Sequence, residues 1–416
     1  MANGLFGGGT GTTEDPYLVE DAADLDAIRN DVYAHYSQVN DLDLIDYPNW
    51  KPIGNFSFTI YDDWYEGVFY EFLKVDELAF RGKYSGNKKV IENLTIRTGT
   101  DPYHYSSHNR GMFGYARESE LVDVFLKKVN ITSDKDEDGH YTGEYVGALV
   151  GYLSSSRMEN CHAEGLVEGG YQSGLLVGNA GWNDDWEEHN NLIKCSAKGI
   201  VRGFSYTGGM MGWLNGRAEQ CYFEGTVNGI EYTGGLIGSA TVDYDTEIIV
   251  EDCYAKADVT GVTWATGALI GELEGTIDKC YTTGTVNGPF EVGGLVGTSW
   301  GGTINNSYNN LLTMFFSSTP EADGFSAYFH DDFGDIIADN RSEISNCFTV
   351  DTMHTIENLV VQSATVTELD ARTRAHYVAN SWDFNTIWDI KEGQSYPFFK
   401  KPIPVVKCKA IPMGRF

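Results

Sequence analysis

A short phrase of glycine, two apolar residues and glycine again returns along this chain at a nearly fixed distance from a cysteine. It stands at Val146 to Gly151, Gly174 to Gly178, Gly208 to Gly212, Gly234 to Gly238, Gly267 to Gly271 and Gly293 to Gly297. The cysteines that follow are Cys161, Cys195, Cys221, Cys253 and Cys280, with Ser307 in the next copy and Cys347 in the one after. Their spacing runs from 26 to 40 residues, the interval of a stacked array in which each unit buries its apolar side against its neighbours. A chain of this kind is expected to be all-β: a repetitive, β-helix-like solenoid with glycine-cornered coils, capped by a short N-terminal helix and closed by an extended C-terminal tail.

In each copy the apolar pair between glycines reads as a very short buried strand with permissive corners. The segment after it alternates with period two, so Cys253, Ala255, Ala257 and Val259 share one face, as do Cys221, Phe223, Gly225 and Val227. Small side chains at matching places suit a narrow interior whose coils rise by about 4.8 Å. The seven cysteines are odd in number and form no CxxC pair or Cys/His cluster of zinc spacing. Cys161, Cys195, Cys221, Cys253, Cys280 and Cys347 therefore read as a buried ladder of small hydrophobes rather than as metal ligands or a disulfide framework.

The repeats resemble the GLUG motif of bacterial surface adhesins, secreted proteins and some phage proteins. The likeness continues outside them, through Asp15-Pro16-Tyr17-Leu18-Val19, Trp50-Lys51-Pro52-Ile53-Gly54, Phe80-Arg81-Gly82 and Ile91-Glu92-Asn93-Leu94 at the start, and Trp382-Asp383-Phe384 and Tyr396-Pro397-Phe398 near the end. It covers roughly residues 8–399 and implies a solenoid that presents a long surface to a partner, with no shared catalytic residues. Residues 1–96 then form an N-terminal cap and first coils, 97–350 the repeat solenoid, 351–399 a capping region and 400–416 a basic extended tail. Three insertions interrupt the pattern, at 57–79, 182–191 and 312–340, all rich in aromatics and acids.

The net charge of −31 argues against nucleic acid as a partner, because a duplex needs a basic surface to release its counterions. Residues 391–416 carry +5, which leaves −36 for the remainder; with Pro397, Pro402, Pro404 and Pro412 this end reads as extended. It would cap the coils or dock into a neighbouring subunit. No apolar run approaches a membrane span, and no secretory leader precedes the first coil. The expected location is a virion assembled in a bacterial cytoplasm, the alternative being an extracellular or cell-surface form that has lost its leader.

Two groups of residues are candidate sites. Asp134, Asp136 and Asp138 alternate before Gly139, with His140 and Glu144 following; oxygen ligands converging at a glycine turn suit Ca2+. The plain reading is a solvated acidic hairpin tip. No organic cofactor is implied. In the insertions, Asp62 and Trp64, and Trp182, Asp184 and Trp186, put flat rings beside hydrogen-bond acceptors, a combination that takes sugars or serves as protein contact.

The function expected is non-enzymatic attachment, as a phage tail appendage, receptor-binding protein or head fibre. Its partners would be a host-surface glycan or protein and other virion subunits, the chain forming a homo-oligomer such as a trimer. Alternatives are a bacterial cell-surface adhesin and a polysaccharide-degrading enzyme, a glycoside hydrolase or lyase, using paired carboxylates on the coils.

Overall fold

The computed structural model describes residues 6–54, 56–65, 68–98, 109–135, 139, 141, 143–181, 189–242, 247–316, 333–334, 337–339, 343–350, 364–367 and 370–400. The chain divides into two compact units, 1–366 and 367–416. The first is a parallel β-solenoid. One coil shows the plan: Met211–Leu214, Gly216–Glu219, Tyr222–Asn228 and Glu231–Gly234 are successive strands, each paired parallel and in register with its counterpart one coil on, Met211 with Ile237, Arg217 with Ile249, Tyr222 with Tyr254 and Thr233 with Thr266. Repetition of these pairings builds three long sheets, of 17, 12 and 8 strands among the described residues. The four strand positions are called here ladders 1 to 4, ladders 1 and 2 sharing the largest sheet. Among the described residues no helix is long and apolar enough to cross a membrane.

The interior is largely apolar and made of columns. In the example coil Met210, Met211, Leu214, Ala218, Cys221, Phe223 and Val227 are fully buried, and each such Leu, Val or Phe contributes about 1.5–3 kcal/mol of burial free energy. The cysteine column lies between ladders 2 and 3. Cys221 donates its backbone N–H to the sulfur of Cys253 at 3.3 Å, Cys253 to Cys280 at 3.4 Å and Cys280 to the hydroxyl of Ser307 at 3.0 Å. Every described cysteine is buried and unbridged. The thiols are not idle apolar filler, for each also donates to a carbonyl on an adjacent strand, as Cys221 does to Leu192 at 3.4 Å.

The corners are of two kinds. Before each cysteine-column residue the chain turns on a non-glycine residue in the left-handed region: Asn160, Lys194, Gln220, Asp252, Lys279, Asn306 and Asn346 have φ between +48° and +54°. Such a conformation costs of order 1 kcal/mol per residue, and asparagine amides offset it by bonding along the stack, Asn306 to Asp278 at 2.7 Å and Asn346 to Asn306 at 3.2 Å. Glycine serves the other junction, where ladder 4 packs on ladder 1. A Cβ on Gly238 would stand 2.4 Å from the carbonyl carbon of Tyr206, and one on Gly271 would stand 2.6 Å from that of Tyr232. The last glycine of the repeated phrase is thus set by close approach of two backbones, and its φ is not positive.

The N-terminal helix, Ala22–Ala27, is capped by Asp21, whose carboxylate accepts from the N–H groups of Ala23 and Asp24. It leads into the first coils, where Tyr17–Val19 pairs with Tyr36–Gln38, and Tyr36 and Ser37 pair with Tyr84 and Ser85. The insertion at 57–79 contains an antiparallel hairpin, Phe56–Tyr65 against Val68–Glu77.

The second unit has its own aromatic core. Tyr377, on the helix Arg374–Val378, packs at 5.1 Å on Trp382, Trp382 at 4.8 Å on Trp388, and Trp388 at 4.6 Å on Phe399. Trp388–Asp389 and Phe398–Phe399 pair antiparallel. The tail 401–416 lies outside the described residues.

Candidate functional site

Of the residues singled out for calcium, Asp136, Asp138 and His140 lie outside the described residues. Asp134 is exposed, Glu144 is half-buried, and an antiparallel bridge between Lys135 and Tyr141 places them on the two sides of a hairpin. Burial lowers the pKa of the Arg110 guanidinium to about 10, with the negative charge of Asp134 opposing the shift. Asp62 and Trp64 stand on the hairpin strand Phe56–Tyr65, opposite Glu71 and Phe69. Trp182, Asp184 and Trp186 lie outside the described residues; the ends of their segment, Gly181 and His189, flank the junction of ladders 1 and 2.

That junction carries a groove of about 1410 Å³, lined among others by Arg81, Lys83, Glu118, Glu120, Arg157 and Arg217. Its charges are matched internally. Arg81 meets Glu118 at 2.7 Å, Lys83 meets Glu120 at 2.9 Å, Arg157 meets Glu120 at 3.2 Å and Arg217 meets Glu251 at 2.8 Å. Register produces the pattern, since Lys83, Glu120, Arg157, Asn191 and Arg217 stack in one column. Ion pairs this exposed contribute at most ~1 kcal/mol each, but they keep adjacent coils in step and leave the groove close to neutral.

The junction of ladders 4 and 1 is different, because there the outward residues are aromatic. Tyr206 and Tyr232 occupy the same place on successive coils and stack at 5.1 Å with an interplanar angle of 9°, and Trp213 stacks on Tyr206 at 5.7 Å. Both tyrosines have φ of +47°, an uncommon conformation for a bulky side chain. Tyr171 continues the group at 6.2 Å from Tyr206 and is 49% exposed. On ladder 1 the column reads Trp213, Ser239, Glu272, Thr298. Glu272 is 9% exposed; its Oε2 accepts from the Ser239 hydroxyl at 3.0 Å and its Oε1 from the Trp300 indole N–H at 2.7 Å. Trp300 is the extra residue of a β-bulge, since Leu273 pairs with Ser299 and Glu274 with Gly301, and it remains 50% exposed.

Burial raises the Glu272 carboxyl above its ordinary range, against the lowering effect of its bonds to Trp300 and Ser239. Burial and then the charge of Glu272 push the Tyr206 phenol up to about 12 and raise Tyr232 as well. Both phenols are therefore protonated at neutral pH. None of these residues was singled out from the sequence. Glu272 sits 33 residues from Ser239 in an unremarkable run, and only the order of apolar and glycine residues around it was legible.

No protein-family model matches the chain. Over 159 residues, 36% of this chain, it is 31% identical to a protein of Evansella cellulosilytica named as a candidate Gly-rich membrane protein. Over 196 residues, 45% of the chain, it is 30% identical to Halomucin of Haloquadratum walsbyi. The matched stretches are 14% and 2% of those proteins. Among solved structures, a candidate immunoglobulin A1 protease from Bacteroides ovatus superposes over 96% of both chains with a TM-score of 0.45 and 16% identity. An IgA1 protease does so over 95% of this chain and 26% of its own, with a TM-score of 0.44 and 12% identity.

Proposed function

We propose that this chain is a surface or extracellular binding segment which acts by presenting the outer faces of a β-solenoid to a partner, without catalysis. The observation that carries the proposal is the aromatic face built from Tyr171, Tyr206, Trp213 and Tyr232, whose Trp213 column continues through Ser239 to Glu272, the carboxylate that holds the exposed Trp300 indole. A fold that had only to cover its own backbone would place polar side chains there, and half-exposed rings held in order by register are the usual composition of a contact surface. Relatives named for a membrane location and as a halomucin support a position at or outside a cell surface. Within that reading the protein is an attachment protein of GLUG type, a phage virion appendage in one setting and a bacterial adhesin in the other, with Asp134, Asp136, Asp138, His140 and Glu144 supplying a Ca2+ loop.

The test is binding of the purified chain to intact cells of the organism that carries its gene, or of that organism's host. Saturable binding without release of reducing sugar supports attachment. Release of sugar that is lost in Glu272→Gln would replace it with the hydrolase reading, and absence of binding to any cell tested would refute it.

A further inference from the structure

We propose that Trp300, Glu272 and Tyr232 form a subsite for one neutral or amino-substituted pyranose ring of a surface glycan, the indole stacking on the sugar's C–H face and the carboxylate accepting from its hydroxyls. The inference rests on the attachment reading and names its ligand class. A tryptophan that projects from a bulge with half its surface in water gains little from the core, yet its orientation is fixed through its N–H on Glu272 at 2.7 Å. Fixing the ring in advance removes the ordering cost that a free side chain would meet on binding. Each oxygen of Glu272 uses one lone pair, on Trp300 or Ser239, and keeps a second for an incoming hydroxyl. Tyr232 stacks on Tyr206 at 5.1 Å and Tyr206 on Trp213 at 5.7 Å, and the column of Trp213 runs through Ser239 to Glu272, so phenol donors and a carboxylate acceptor stand on neighbouring coils beside an exposed aromatic surface, the composition by which protein sites hold a sugar.

Charge sets the preference among sugars. Glu231, Glu272 and Glu291 all act on Tyr232, and the whole chain carries −31. A uronate or other anionic sugar would be repelled from this face, whereas a neutral or amino sugar would not.

The experiment titrates the full chain with N-acetylglucosamine, glucosamine and glucose oligomers, and with a galacturonate oligomer as the anionic probe. Tryptophan fluorescence and saturation-transfer NMR report binding. The expected result is binding of at least one neutral or amino oligomer, weaker or no binding of the uronate, and a loss of tenfold or more in Trp300→Ala and in Glu272→Gln, with Tyr33→Ala, an exposed ring elsewhere on the chain, unchanged. Should Trp300→Ala misfold, Trp300→Phe keeps a ring and removes the N–H bond, and must also weaken binding. Binding of no oligomer, or binding that survives both changes, overturns the proposal. If cell attachment by the parent chain persists through Trp300→Ala, the subsite is wrong and attachment stands; if the parent chain attaches to no cell, the attachment reading itself falls.

Discussion

Replacing Phe223 by alanine tests whether the coils are packed by exchange of volume across the core. Along ladder 3 the column reads Ala163, Ala197, Phe223, Ala255 and Thr282, a single large ring among small residues, fully buried. The facing column on the repeated phrase has Leu175 donating its N–H to the carbonyl of Gly209 at 3.1 Å, so these two residues are equivalent on adjacent coils. One coil holds Leu175 and Ala197; the next holds Gly209 and Phe223. A Cβ on Gly209 would stand 2.3 Å from Cδ1 of Phe223 and 2.2 Å from the carbonyl oxygen of Gly235. The ring therefore fits because position 209 has no side chain. Phe223→Ala should cost about 3–5 kcal/mol as a cavity, and Gly209→Leu alone about 3 kcal/mol or more through overpacking and contact with the Gly235 carbonyl. The double variant reproduces the Leu-and-Ala arrangement of the preceding coil and should be at least ~1 kcal/mol more stable than the sum of the single effects. Urea unfolding followed by circular dichroism, with slopes compared so that loss of cooperativity is recognised, gives the three values. Additivity within about 0.5 kcal/mol would refute the account of complementary columns.

Other consequences can be checked with the same preparation. Cys253→Ser should be nearly neutral, because Ser307 already fills that column and accepts from Cys280 at 3.0 Å, while Cys253→Val strips the acceptor from the Cys221 N–H and should lower stability by about 1–3 kcal/mol. All the described cysteines are buried, so they should resist alkylation until the chain unfolds, as mass spectrometry would show. His162, bonded to Ser196 at 2.6 Å, has its pKa lowered by burial to about 3. The unfolded chain takes up that proton near pH 6.5 and the folded chain does not. His162 thus costs nothing above pH 6.5, and stability falls as pH drops from there toward 3; a melting curve for His162→Gln that keeps the full slope across this window would exclude the residue as the cause. Calcium should raise the melting temperature of the parent chain and leave that of Asp136→Ala/Asp138→Ala unchanged, and an equal rise in both would remove the metal site.

Architecture was legible because a solenoid repeats its constraints locally. The glycine phrase, the cysteine that follows it and the period-two alternation at Cys253 to Val259 each state a requirement of one coil, and their recurrence states that coils stack. The sequence also predicted a short N-terminal helix, found at Ala22–Ala27, and the inward faces of ladder 3. It misled at one detail: glycine was expected wherever the chain turns sharply, yet the corner before each cysteine is held by Asn, Asp, Lys or Gln at positive φ. At Asn306 and Asn346 the side-chain amides bond along the stack from coil to coil, a compensation that no single copy displays.

The aromatic face was not legible, and the reason is geometric. Its residues come from different coils, Tyr206 and Tyr232 from ladder 4, Trp213, Ser239 and Glu272 from ladder 1, and Trp300 from a bulge. Coils of unequal length contribute to it, so sequence distance does not say which side chains will stand opposite one another. The repeated glycine phrase, the cysteine that follows it and the period-two alternation determined that this chain stacks into a β-solenoid with small inward residues at matching places. The register of each coil on the next, set by backbone hydrogen bonds, decided that a buried carboxylate would meet an exposed indole.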